Sequence, residues 1–522
     1  MGVIDMTSGA LSLIQTAVNA GVEVCFANPG TTEMQIVALF DQVPEVRVVL
    51  GLFEGVCTGA ADGWARMTGR PAATLLHLGP GFANGIANLH NARRARTPVV
   101  NWIGDHATHH RSFDAPLTSD IAALTNSVGW TRTVKSAHEM AEASLAAVQA
   151  ALGPPGRVAS LIIPAECQWE PGVEPLSMTP SSAFLEPSNQ DIKEAARLLR
   201  KGRAGIFLGG NALTASGFRA AKRVSEATNC MVWIETFPSR QECGRHMPIF
   251  PTMPYFPEQA CEALANVKSL VLAGARDPVA FFAYPDQPSR FVPEGAVLHM
   301  LANPDKGVDA VRALDALAQE LDAPATAMPS RIIQAYAPTN QQLDPENLYR
   351  TMAAFMPENA VFVNEAATNG FAWNAVHSFN AEPHTMLFTT GGAIGQGLPN
   401  ALGAALACPD RRVIAFQADG SGLYTLQALW SMARESANVT VVVCANRRYR
   451  ILQAELARAG VVEPGPKAWS LTDLTRPAID WAELAKGFGV PACSVHTDGE
   501  LADALMRAFA EHGPSLIEAV LA

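Results

Sequence analysis

Asp419 and Asn446 stand 27 residues apart, each just beyond a run of apolar residues: Val413-Ile414-Ala415-Phe416 and Val439-Thr440-Val441-Val442-Val443-Cys444. A carboxylate and an amide oxygen are hard donors, suited to Mg²⁺ or Ca²⁺. Gly420 and Ser421 follow the Asp directly, where the free N–H groups of a helix start would favour a phosphate. A metal-bridged diphosphate is the direct reading; the plain alternative is a strand pair whose Asp and Asn cap turns. A second group lies near the N-terminus. Thr31 closes Asn28-Pro29-Gly30, Glu54 follows Leu50-Gly51-Leu52-Phe53, and His77 precedes Gly79-Pro80-Gly81. A hydroxyl, a carboxylic acid and an imidazole are proton-transfer groups. Glu54, in apolar surroundings, would have its pKa raised unless it gains a partner. Singly, each is more often structural; at one rim they make a candidate site.

For these residues to meet, their elements must alternate. Between the two apolar runs of the first motif, Leu423, Leu426, Leu429, Trp430 and Ala433 recur at helical spacing, which predicts a βαβ unit. Its right-handed crossover makes the strands parallel and sets Asp419 and Asn446 at one carboxyl edge, where open α/β sheets bind ligands. In the N-terminal part the pattern predicts strands over 22–26, 46–52, 73–76 and 99–103, with helices over 31–41 and 55–67. Strands are also expected over 205–208, 231–234, 269–272 and 297–301, and again over 361–363. Pro- and Ser-rich stretches at 170–189 and 323–347 read as linkers. The expectation is an α/β chain of three doubly wound, parallel-sheet domains over 1–170, 190–325 and 345–522.

Composition narrows the class. The chain has 522 residues, too many for one core. With 48% hydrophobic and 17% charged residues it is globular. A formal net charge of −11 argues against a nucleic-acid partner. Nine scattered cysteines with no Cys-x-x-Cys pair suggest reduced thiols, not a disulfide framework or a zinc site. No signal-peptide pattern opens the chain, and no apolar run approaches the roughly 20 residues of a membrane span. A cytoplasmic location is expected.

The Asp-Gly-Ser motif followed by Asn446 resembles the cofactor motif of thiamine-diphosphate (ThDP) enzymes, with Ala418 and Ala445 departing from its usual Gly and Asn. The N-terminal stretch is similar to the pyrimidine-binding domain of the acetolactate synthase, benzoylformate decarboxylase and pyruvate oxidase group. The matching residues are Asn28-Pro29-Gly30, Glu54-Gly55, Ala60-Ala61-Asp62-Gly63-Trp64-Ala65-Arg66, Gly79-Pro80-Gly81 and Asn84-Gly85, with Gly391-Gly392-Ala393-Ile394-Gly395 further on. Nearest is the short branch labelled acetolactate synthase large-subunit-like. The resemblance implies a pyrimidine-binding, a middle and a diphosphate-binding domain. It implies metal ligation by Asp419, Asn446 and the main-chain oxygen of Arg448. Glu54 would hydrogen-bond the cofactor's pyrimidine ring and promote its imino tautomer. Ile394 would bend the cofactor, and Gly392, Gly420, Ser421, Thr368 and Asn369 would contact it. Because Glu54 and the diphosphate site come from opposite subunits in this group, a homodimer or homotetramer is expected.

The implied reaction is decarboxylation of a 2-oxo acid, with ligation of the remaining enamine to a second carbonyl as in acetolactate synthases. The alternative is a benzoylformate-type decarboxylase that releases aldehyde, and a third reading is a catalytically silent regulatory paralogue. Thr31 and His77 fall where benzoylformate decarboxylases carry a Ser and a His, but no second His lies near Phe281-Phe282-Ala283-Tyr284. The loop Gly104-Asp105-His106 to Pro116-Leu117 departs from acetolactate synthases proper. Leu452 and Glu455 align with pocket-lining residues, and His110 is a candidate for an anionic substrate or a loop cap. Gly209-Gly210-Asn211 could seat a phosphate in the middle domain, but too few basic residues surround it for a nucleotide, and FAD is not expected.

Overall fold

Val99–Asp105 is buried along all seven residues, the signature of a strand covered on both faces and hence of a parallel sheet. In the computed structural model, which describes residues 8–178, 183–333, 335–375, 377–461 and 463–522, such runs build three sheets. The N-terminal part supplies β1 (Val24–Asn28), β2 (Arg47–Leu50), β3 (Ala72–His77), β4 (Val99–Asp105), β5 (Trp130–Thr133) and β6 (Val158–Pro164). The middle supplies β7 (Ala204–Leu208), β8 (Met231–Ile234), β9 (Arg240–Cys243), β10 (Ser269–Ala273) and β11 (Val297–Ala302). Then come β12 (Ala360–Glu365), β13 (His384–Phe388), β14 (Val413–Ala418), β15 (Val439–Ala445), β16 (Ala492–Val495) and β17 (Ser515–Val520).

Met1–Ser182, Ala337–Gly370 and Thr389–Ala522 form one compact unit, and Ala183–Tyr336 with Phe371–Phe388 a second. The first unit holds two sheets. One has the order β2-β1-β3-β4-β6-β5, and the other runs β16-β17-β15-β14-β12. Every pairing within both is parallel. The second unit has a four-stranded parallel sheet, β11-β10-β7-β8, and an antiparallel pair, β9 with β13.

Within the first unit the helix Glu54–Thr68 packs on the helix Gly397–Ala407. A Cβ on Gly63 would run into the backbone of Asn400, and one on Gly403 into the backbone of Ala60. Only glycine permits so close an approach. The same seam buries Asp62 and Arg66, an ion pair 2.6 Å apart. Thr97 Oγ1 donates to Asp62 at 2.6 Å, and Asn400 Nδ2 donates at 3.2 Å. A buried pair needs such extra donors to offset its desolvation.

Two expected helices are shorter than their pattern. Residues 31–41 divide into a 3₁₀ turn (Thr31–Glu33), a helix (Met34–Leu39) and a second 3₁₀ turn (Phe40–Gln42). At the head of the first turn the Glu33 carboxylate accepts the Gly30 N–H at 2.7 Å, a capping contact. After β14 the chain makes one turn, Asp419–Gly422, and resumes a helix only at Ala428. Two glycines in that turn weaken helix propagation, and the Trp481 ring lies against Gly422.

Candidate active site

The carboxyl edge of the first sheet is set by register: Asn28 lies beside Leu76, and His77 beside Gly104. Here the turn after β1 swings Thr32 and Glu33 under the His77 ring. His77 Nδ1 lies 2.8 Å from Glu33 Oε2 and 3.2 Å from Thr32 Oγ1. Glu33 is fully buried, and its carboxylate also accepts from the Gly30 N–H and from the Thr32 hydroxyl, the latter at 2.5 Å. Gly104 makes room for it, since a Cβ there would collide with the Glu33 carboxylate. A carboxylate on Nδ1 fixes the ring's orientation and leaves Nε2 for a substrate. Thr31 is exposed at the head of the turn.

Glu54 opens its helix at the end of the neighbouring strand segment and is 8% exposed. Asn84 Nδ2 donates to its Oε2 at 3.0 Å, so the carboxyl group gains the partner its apolar setting requires. A Cβ on Gly81 would sit 3.2 Å from Glu54 Oε1 and 3.5 Å from His77 Cβ. Gly81 therefore lies against both the Glu54 carboxyl group and the base of the His77 side chain. The sequence points to Thr31 here, whereas Thr32 and Glu33 are the residues of the turn that reach His77; a three-residue turn carries no periodicity that would mark them.

At the third sheet, β14 and β15 are parallel as expected, with Ala418 beside Cys444. Asp419 is 3% exposed, and its pKa is pushed up to about 6 by burial. Two backbone donors oppose that shift: Gly420 N–H at 2.8 Å and Arg447 N–H at 2.6 Å. Arg447 reaches it by adopting a left-handed conformation, φ +56°. The half-buried Asn446 turns its Oδ1 back to the Arg448 N–H at 3.1 Å. A buried carboxylate at one strand end, with an amide side chain just past the end of the paired strand, suits a hard divalent cation, whose charge would offset the desolvation that lifts Asp419.

The remaining expected residues are distributed as follows. Ile394 is half-buried and Gly392 exposed on a loop gripped by Asn91, whose Oδ1 accepts from Gly391 N–H and Ala393 N–H at 3.1 and 3.2 Å. Buried Ser421 receives the Gln417 amide at 2.6 Å. Thr368, half-buried, begins the helix Thr368–Ala375. Asn369 is buried with its Oδ1 3.5 Å from the Tyr349 hydroxyl. Leu452 is exposed, and Glu455 lies 3.9 Å from Arg458 along its own helix, Arg450–Arg458. His110 is exposed, its ring against His106 and Phe113. In the second unit the Gly210 N–H is taken by the Glu235 carboxylate at 3.0 Å, and Asn211 donates to Asp309 at 3.0 Å. The Gly209-Gly210-Asn211 turn thus faces two carboxylates, which would repel a phosphate. Among the described residues no helix is long and apolar enough to cross a membrane.

Polar side chains gather at the carboxyl edges of two parallel sheets, the place where α/β proteins of this build bind small ligands. Residues 7–145 match the thiamine pyrophosphate enzyme N-terminal TPP binding domain, and residues 367–519 the C-terminal TPP binding domain. The chain is 47% identical to "Putative acetolactate synthase large subunit IlvX" of Mycobacterium tuberculosis, over 98% of this chain and 99% of that protein. It is 30% identical to the benzoylformate decarboxylase of Pseudomonas aeruginosa, over 95% and 96%. A solved structure, the ThDP-dependent 4-hydroxybenzoylformate decarboxylase of Rhodococcus jostii RHA1, superposes with a TM-score of 0.86 at 25% identity, covering 98% of this chain and 99% of that one. The chain belongs to the thiamine pyrophosphate (ThDP) enzyme family.

Proposed function

We propose that the protein is a ThDP- and Mg²⁺-dependent decarboxylase of 2-oxo acids, with His77 as the group that delivers a proton to product. The observation that carries this reading is the His77–Glu33 contact of 2.8 Å, with His77 Cβ and the Glu54 carboxyl group both next to Gly81. When bound, ThDP would supply a nucleophilic carbon that adds to the keto carbon of the substrate, and a cationic thiazolium ring that takes up the electron pair left by departing CO₂. Glu54 would hydrogen-bond the cofactor's pyrimidine ring, and Ile394 would support its bend. Asp419, Asn446 and the Arg448 carbonyl would hold Mg²⁺, with the Gly420–Ser421 turn facing the diphosphate. The buried Glu33 orients His77 so that Nε2 exchanges protons with the substrate carbon and with water.

Carboligation is the second reading, favoured by the 47% identity to a protein named as an acetolactate synthase large subunit. With either reaction we further propose a cytoplasmic homodimer or homotetramer whose active sites are shared between copies, as the family resemblance implies. The test is turnover of pyruvate, 2-oxobutyrate, branched 2-oxo acids and benzoylformate with ThDP and Mg²⁺, resolving aldehyde from 2-hydroxy ketone. Aldehyde alone supports decarboxylation; acetolactate replaces it with the synthase reading. Loss of aldehyde release in His77→Ala, with ThDP still bound, would tie the proton to this residue.

A further inference from the structure

Glu365 is the last residue of β12, 5% exposed, and no motif draws attention to it. Its carboxylate grips the loop that carries Ile394. Gly395 N–H donates to Oε1 at 2.6 Å, and Gly397 N–H donates to Oε2. The two donors lie on either side of Gln396, so the carboxylate spans the turn as a clasp. Gly395 sits at φ +94°, a conformation a side chain would resist, and Thr425 and Asn88 hold its carbonyl from the other side at 2.7 and 3.4 Å. The clasp also reaches the other cofactor element. Gln417 Nε2 lies 3.4 Å from Glu365 Oε1 and 2.6 Å from Ser421 Oγ, while Ser421 Oγ donates to the Glu365 carbonyl at 3.4 Å. Burial pushes the carboxyl group's pKa up, and the Gly395 and Gly397 N–H groups pull it back.

We infer that Glu365 is a positioning residue that sets the Ile394 turn and the Asp419–Ser421 turn in one fixed relation, and so sets the bend of the cofactor held between them. It touches no reacting atom. The geometry is specific to a carboxylate: two N–H donors converge on two oxygens, and a Gln would present an NH₂ to one of them. This rests on the ThDP reading above.

The experiment compares wild type, Glu365→Gln, Glu365→Asp and Gln417→Ala, with ThDP and Mg²⁺ as the probes. ThDP affinity is read by tryptophan fluorescence, the fold by circular dichroism, and the bend by the exchange rate of the thiazolium carbon-bound proton, followed by NMR. For Glu365→Gln, folded, the expected result is ThDP affinity about tenfold weaker and proton exchange at least about tenfold slower, the loss of one charge-assisted hydrogen bond. Gln417→Ala keeps the clasp and loses the link to Ser421, so a shift of about threefold is expected. A merely structural role would lower the melting temperature and leave both readouts within about twofold of wild type in every folded variant; that result overturns the inference. Should Glu365→Gln fail to fold, Glu365→Asp and Gln417→Ala decide on the same two readouts. Wild-type protein that fails to bind ThDP overturns the family reading and this inference together, whereas wild-type binding with unaltered variants overturns this inference alone.

Discussion

The two carboxyl edges of the larger unit solve one problem by opposite means. At the first sheet, side chains hold side chains: Glu33 grips His77, and Asn84 caps Glu54. At the third, the backbone holds the side chain: Asp419 is fixed by the N–H groups of Gly420 and Arg447. A rim of side chains can be dismantled one residue at a time, with graded losses. A rim of main-chain donors concentrates its whole role in the one carboxylate it serves. The substitutions below test that difference.

Asp419→Asn strikes the concentrated rim. Turnover is expected to fall about a thousandfold or more, with Mg²⁺-dependent ThDP binding lost in a fluorescence titration. A pH series sharpens the point. Because the Asp419 carboxyl is pushed up to about 6 in the fold, protons compete with Mg²⁺ and metal affinity should weaken as pH falls below about 6. The stability sign is opposite to that of a salt-bridged acid. Between about pH 4 and 6 the folded protein binds the proton the unfolded chain has released, so metal-free stability should decline as pH rises through that window. Unfolding midpoints in EDTA that rise there instead would contradict the assignment.

The graded rim comes next. Glu54→Gln should cost about 10²- to 10³-fold in kcat while ThDP affinity stays within about threefold. His77→Ala should lower aldehyde release by about 10²-fold. Glu33→Ala, one step removed, should cost about tenfold and shift the pH profile, as a lost orienting partner does. Equal effects of Glu33→Ala and His77→Ala would show that the imidazole works only as part of the pair. Gly104→Ala drives a methyl into the Glu33 carboxylate and should destabilise the fold by about 1–3 kcal/mol in denaturant unfolding. Smallest of all, Arg448→Ala should change Mg²⁺ affinity less than about twofold, because its proposed contribution is a main-chain oxygen.

The sequence made the third-sheet rim easier to read than the first. Two apolar runs at βαβ spacing left little freedom for where Asp419 and Asn446 would stand, and β14 and β15 pair as that spacing requires. The first rim depends on a three-residue 3₁₀ turn, which has no periodicity to reveal it. Counting from Asn28-Pro29-Gly30 selects Thr31, while the fold brings Thr32 and Glu33 to His77. Glu365 was silent for a different reason. It ends a strand of ordinary apolar character, and its partners, Gly395 and Gly397, lie about 30 residues away in sequence. The broken helix after Gly422 shows the same limit, since Trp481 comes from a distant segment.

The seam between Glu54–Thr68 and Gly397–Ala407 has a mechanical consequence. A joint cushioned by side chains has compliance, because rotamers can change while the helices slide. Where Gly63 and Gly403 bring main chain onto main chain, that compliance is absent, and the joint either stays shut or parts outright. Glu54 heads one of these helices, and the Ile394 turn leads into the other. On warming, such a joint should offer no softened, half-active regime: activity should persist nearly unchanged and then vanish over the same few degrees in which the larger unit unfolds.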